Sequence, residues 1–251
     1  MIRDRLRELM LIPGLAGHED RVARAVAAHL DAMGLAHRSD RLGNLITTIP
    51  GDPALPSVLV FAHTDQLGMI VTKIEDSGFI RVVRLGGVPE RVLPGSVVKI
   101  IAHGGDIVTG VMGTPPHHLT PEDMKYRVPT IDKAYIDVGA SSAEDVHALG
   151  IAVGDHVAYE PRFERLAHNT VAGTSIDDRG GCAVLVGLAD HLAANPAAVN
   201  VVLVATVQEE FNLRGAMLAA EKIRPVAAFS LDLVAEGDTP EMGAPNGVAL
   251  G

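Results

Sequence analysis

Tryptophan is absent from this chain, and cysteine occurs once, at Cys182. A lone thiol closes no intramolecular disulfide, so nothing here requires an oxidising compartment. Aromatics make up only 3% of the 251 residues, so the core must be assembled from Val, Leu, Ile and Ala. Cations are in the minority: 21 Lys and Arg against 31 Asp and Glu give a formal net charge of -10. The clustered Lys and Arg that nucleic acid or an acidic membrane surface demands are therefore missing, and neither is expected as a partner. Long hydrophobic runs are missing as well. Stretches such as Val199 to Val207 fall far short of the roughly 20 apolar residues that span a bilayer. The opening MIRDRLRELMLIPGLAG interrupts its apolar residues with charges and has no signal-peptide core. A cytoplasmic protein is expected, with enough apolar material for one large domain or two modest ones.

Apolar residues recur at helical spacing from Arg3 to Leu11 and from Glu19 to Met33, with Gly34 as the stop. Leu45 to Ile49 and Ser57 to Ala62 read as strands around the turn-rich Pro50-Gly51-Asp52-Pro53. Residues 66 to 165 differ in character. Short β-type runs (Gly68 to Ile74, Phe79 to Val83, Ser96 to Ile101, Ala134 to Val138, His156 to Tyr159) alternate with Gly, Pro and Asp clusters, and one short helix is expected near Ser142 to Leu149. After them come a helix over Asp177 to Ala194, a doubly buried strand over Val199 to Val207, a helix over Leu213 to Lys222 and a strand over Ala227 to Leu233. The expected fold is α/β: a mostly parallel mixed sheet flanked by helices, with a small β-barrel inserted. Residues 1–65 and 166–251 form the sheet domain in this reading, and 66–165 the insertion.

Three of the apolar strands run into polar residues that bind metals: SVLVFA into His63-Thr64-Asp65, NVVLVATVQ into Glu209-Glu210, and AAFSL into Asp232. Sites in open α/β sheets form just outside the carboxyl ends of the strands. One such ending is weak evidence. Three, together with Asp177-Asp178 opening a helix, gather carboxylates that would raise one another's pKa unless divalent cations neutralised them. Carboxylates and imidazole without thiolate suit zinc, cobalt or manganese. A pair of such ions can supply hydroxide and polarise a carbonyl, the chemistry of amide hydrolysis.

The stretches AHTDQLGMIV, PPHHL, YIDVGA, GIAVGD, GTSIDDRGGCAVLV, TVQEEFNLRGA and EGDTP resemble the M42 metallopeptidases, cytosolic aminopeptidases that build large tetrahedral particles. The resemblance runs the length of the chain. It implies a two-metal aminopeptidase acting on peptide substrates, with zinc foremost and cobalt or manganese as alternatives. His63 would bind one metal and Asp177 bridge both; Asp232 would join His63, and Glu210 would hold the second ion. Glu209 would be the general base, and Asp65 the residue orienting His63. At two positions' distance along a strand, Asp65 would share the face of His63. Glu209 and Glu210 would point opposite ways unless the chain bends there. The resemblance further implies a non-proline cis peptide after Asp177, dimer contacts through residues 66–165, assembly to a dodecamer, and one more His ligand from sequence beyond Gly251. It places Gly237 to Pro240, a turn signal in its own right, at the rim of the site.

Two positions depart from the family pattern: Asn212 replaces the usual Gly, and Gln66 an often acidic residue. Both bear on loop or pocket shape and leave the ligands intact. Plainer roles are expected elsewhere. Asp178 serves the helix terminus or pairs with Arg179, Cys182 is a small buried residue, and His117 and His118 belong to a surface loop. His103, His147, His156 and His168 are scattered surface or loop residues. Two other functions stay open: a two-metal deacylase acting on acylated amino acids, and a catalytically silent assembly protein. No residue is singled out for substrate binding.

Overall fold

The structure is a computed structural model that describes residues 2–234 and 240. Gly237 to Thr239, expected at the rim of the site, lie outside the described residues. Helices α1 (Ile2–Met10) and α2 (Asp20–Ala32) lead into strands β1 (His37–Ser39), β2 (Leu45–Ile49) and β3 (Val58–His63). The chain then builds β4 (Gly68–Ile74), β5 (Ile80–Leu85), β6 (Val97–Ile101), β7 (Ile107–Gly113), β8 (Tyr135–Asp137), α3 (Ala143–Ala148) and β9 (His156–Tyr159). A ribbon, β10 (Phe163–Arg165) and β11 (Val171–Gly173), returns it to α4 (Ile176–Ala194), β12 (Val201–Thr206), α5 (Arg214–Ile223) and β13 (Ala227–Ser230).

Five strands form one mixed sheet in the order β1-β2-β12-β3-β13. The β12–β3 and β3–β13 pairs are parallel, and β1–β2 and β2–β12 antiparallel. All six residues of β12 are buried, because helices cover both of its faces. Val201, Leu203 and Ala205 join Val60 and Ala62 against α2 and α4. Val202 and Val204 join Ile46 and Leu59 against α5. The period-2 alternation of one strand thus feeds two cores.

Strands β4 to β9 close into a barrel in the order β4-β5-β8-β7-β6-β9. Its core is aliphatic, with Met69, Val98, Ile100, Ile136 and Val157 fully buried. Strand β7 has no counterpart in the sequence reading, because Thr109 and Gly110 interrupt its apolar pattern. It pairs with β6 as the second arm of a hairpin through Gly104-Gly105. Among the described residues, no helix is long and apolar enough to cross a membrane.

The barrel is joined to the sheet domain by a close seam. Leu15 forms a parallel bridge with Gln66, and His156 of β9 stacks on His18 with ring centroids 3.8 Å apart. His156 is therefore a packed strand residue, in contrast to the surface position expected of it. Gly68 sits in this seam, where a Cβ would fall 2.2 Å from Leu15 Cδ2 and 2.6 Å from the Val157 carbonyl oxygen. Gly68→Ala is expected to cost about 1–3 kcal/mol by overpacking. The check is the urea unfolding midpoint, and an unchanged midpoint would show that the seam can relax.

Candidate metal centre

Strands β12 and β13 stop short of their polar residues, which sit in the connections that follow, whereas β3 runs into its own. His63 is the last residue of β3, paired in register with Thr206 of β12. Thr64 stays in line, donating its N–H to the Thr206 carbonyl at 2.8 Å, and Asp65 follows, fully buried. Strand β12 ends at Thr206, earlier than the expected Val207. Gln208 then takes a left-handed φ of 55°, bending the chain so that Glu209 and Glu210 turn towards one site. Asn212 adopts φ 70°, the conformation glycine favours and asparagine tolerates better than most residues. Strand β13 closes at Ser230, and Asp232 lies two residues beyond it.

Asp65 holds the bend. Its Oδ1 accepts the Glu209 N–H and its Oδ2 the Glu210 N–H, both at 3.0 Å. Towards His63 it acts mainly through its backbone: His63 Nδ1 lies 3.1 Å from the Asp65 carbonyl oxygen and 3.5 Å from Oδ1. A proton on Nδ1 donated to that carbonyl leaves the Nε2 lone pair facing Asp177 Oδ1 at 3.0 Å. Glu209 Oε2 stands 3.8 Å from the same Nε2.

Asp177 and Asp178 open α4 with non-helical dihedrals, and the peptide between them is cis. Asp177 is exposed, whereas Asp178 is fully buried. The Asp178 carboxylate accepts the His63 N–H at 3.1 Å and the Gly181 N–H at 2.8 Å. It also belongs to a group of metal-type donors among the described residues: atoms of His63, Asp178 and Asp232 all lie within 4.8 Å of one another. The sequence reading left Asp178 outside the centre. Its paired neighbour Asp177 was the only signal, and the turn that sends the two carboxylates different ways cannot be read from spacing.

Arg179 spends its hydrogen bonds on acceptors other than Asp178. It is fully buried and donates to the carbonyls of Leu9, Ile12 and Thr64 and to Gln66 Oε1. Gln66 Oε1 also accepts the Gly14 N–H at 3.2 Å. This buried cation lies among Asp65, Asp178 and Glu19, whose charges favour its protonated form against the burial that lowers its pKa. Cys182 Sγ reaches the His63 carbonyl at 3.1 Å, and burial pushes its thiol up to about 12, so it is a packed, unreactive residue. His117 and His118 lie exposed on a loop after β7.

The electrostatics describe a site in need of positive charge. Burial alone would lower His63, but its hydrogen bonds to Asp177 and Asp65 and the charges of Asp65 and Asp178 carry it up to about 11. Burial and the neighbouring Glu209 raise Glu210 to about 7. Burial raises Asp178 to about 7, against the opposing pull of His63. Glu209 is raised as well, first by burial. Crowded carboxylates that hold protons this far above their usual range are the setting that a bound cation relieves. Two ligands of a tetrahedral ion stand about 3.3–3.5 Å apart, so His63 and Asp177 need to open only slightly to share one. The donor set fits divalent metal.

The sequence profile of the M42 glutamyl aminopeptidases matches residues 43–251. The chain belongs to the M42 glutamyl aminopeptidase family. It is 34% identical over 242 residues to SgcX of Escherichia coli (strain K12), a protein provisionally named an aminopeptidase; the match covers 96% of this chain and 65% of SgcX. The structure of aminopeptidase APDkam598 from the archaeon Desulfurococcus kamchatkensis superposes with a TM-score of 0.88 at 33% identity, over 96% of this chain and 65% of that one. The TET1 peptidase of Pyrococcus horikoshii, described as assembling into a tetrahedron or a large octahedral shell, gives 0.86 at 30% identity, over 95% and 72%. The chain thus spans about two thirds of the length of these M42-type relatives.

Proposed function

We propose that this chain carries the catalytic face of a co-catalytic aminopeptidase that removes N-terminal residues from peptides. The observation that carries the reading is the convergence of His63, Asp232 and the Glu209-Glu210 pair, from the carboxyl ends of three parallel strands, with Asp177 at the start of α4. In this reading His63, Asp177, Asp232 and Glu210 hold two divalent ions, with zinc foremost and cobalt or manganese as alternatives. When bound, such ions lower the pKa of a water and polarise the scissile carbonyl. Glu209 takes up a proton at its carboxylate and returns it to the leaving amine. Its partial burial, which raises its pKa, supports this role, since a base raised towards neutrality transfers protons most effectively. Asp65 keeps both glutamates turned inward, and Asp178 fixes the His63 backbone.

We further propose that residues 1–65 and 166–251 form the catalytic domain, that 66–165 mediate dimer contacts, and that the protein works in the cytoplasm. The tetrahedron or octahedral shell described for the Pyrococcus horikoshii relative supports self-association, and a dodecamer is the assembly we propose. Activity is tested by comparing aminoacyl anilides with their N-acetylated forms after metal loading. An aminopeptidase cleaves the free-amine substrates at least about a hundredfold faster. The reverse preference would identify a deacylase, and inactivity on both would sink the hydrolase reading.

A further inference from the structure

Glu19 occupies the N-cap position of α2, where a side-chain oxygen usually accepts an N–H of the helix's own first turn. It makes no such cap here, and it is only 5% exposed. Its Oε1 instead accepts the N–H of Gln208 at 3.0 Å, 189 positions along the chain, and the Gly17 N–H at 2.9 Å. Burying a carboxylate costs free energy, and burial raises the pKa of this one. The helix itself gains no side-chain hydrogen bond in return, so the residue's use lies across the fold.

Gln208 is the residue that makes the bend after β12. Its φ of 55° is a left-handed conformation that a glutamine keeps only where its surroundings fix it. Glu209 and Glu210 follow directly, and their N–H groups go to Asp65 Oδ1 and Oδ2. Three consecutive N–H groups are thus caught by two buried carboxylates, with the Arg179 cation offsetting the charge of both. The two holders share one frame. The Gln66 N–H donates to the Gly14 carbonyl at 3.0 Å and the Gly14 N–H to Gln66 Oε1 at 3.2 Å, tying the segment before Glu19 to the turn that carries Asp65.

We propose that Glu19 is a positioning residue for the metal centre: by capturing the Gln208 N–H it fixes the left-handed turn that aims Glu209 and Glu210 at one site. The inference rests on the roles proposed above for those two glutamates. It concerns the place of one oxygen rather than the charge, since both hydrogen bonds end on Oε1.

The test is calorimetric zinc titration of the chelator-treated protein, with kcat on an aminoacyl anilide and the urea midpoint measured on the same variants. Glu19→Gln leaves an acceptor oxygen in place and removes the charge. Glu19→Asp keeps the charge and withdraws the oxygen by one methylene. Zinc affinity and kcat are expected to stay within about threefold of wild type in Glu19→Gln, to fall further in Glu19→Asp, and to drop about 10–100-fold in Glu19→Ala, the usual contribution of a group that orients a ligand. Val26→Ala, a core truncation further along α2, is the control for stability alone. It should lower the urea midpoint and leave zinc affinity and kcat within about twofold, as distant sites act independently. Glu19→Asp near wild type with Glu19→Gln impaired would assign the effect to charge and overturn the proposal. So would wild-type affinity and kcat in Glu19→Ala, or losses in Val26→Ala as large as those in Glu19→Ala. Should Glu19→Ala not fold, the order of the Gln and Asp variants decides. An anilide left uncleaved by the wild type would remove the peptidase reading alone, and the order of zinc affinities would then decide this inference.

Discussion

Glu209→Gln is expected to keep its metals and lose about 10²–10⁴-fold in kcat, the usual contribution of a general base. The amide is nearly isosteric with the carboxylate, so the fold around it should persist. The backbone N–H of residue 209 would still donate to Asp65 Oδ1, since that bond does not involve the side chain. What disappears is the proton acceptor 3.8 Å from His63 Nε2. Steady-state kinetics on an aminoacyl anilide, with metal content measured on the same sample, separates this from a ligand loss. Turnover near that of the wild type would show that Glu209 is not the base. A variant that had lost metal would place it among the ligands instead.

Asp65→Asn should produce the second largest effect through a different route. The buried carboxylate accepts two adjacent backbone N–H groups, one at each oxygen. An asparagine offers one oxygen and turns an NH₂ group towards the other donor, leaving a buried N–H unpaired. That loss costs about 1–3 kcal/mol of stability. It also frees the bend that directs Glu209 and Glu210 inward. Groups that orient metal ligands typically contribute 10–100-fold to metal affinity or activity, and a kcat/KM reduction of that size is expected. Metal titration should show weaker binding in step with it. Reduced stability with intact activity and affinity would confine Asp65 to a structural role.

How far the sequence could be read depended on the kind of signal. The doubly buried run in β12 and the helical spacing of α2 repeat over many residues, and both elements were expected close to where they stand. The convergence of His63, Glu209, Glu210 and Asp232 followed from three strands sharing one direction. Single-residue backbone events were another matter. A bend was required after β12, but the left-handed Gln208 that makes it is not an identity that announces such a conformation. The fully buried Asp178 depended on dihedrals at the start of α4 that depart from helix. Arg179 looked like a partner for its neighbour, yet its guanidinium binds four acceptors drawn from α1, the loop after it and the turn after β3. Asp65 was expected to act on His63 by its carboxylate, and instead divides its labour between backbone carbonyl and side chain.

The central claim is that the cluster around His63 is a metal centre. Calorimetric titration of the chelator-treated protein with zinc, repeated on His63→Ala, tests it most directly. At least one ion per chain is expected to bind the wild type and to be lost in the variant, with circular dichroism unchanged. Zinc binding of equal affinity and stoichiometry in both proteins, or in neither, would contradict it.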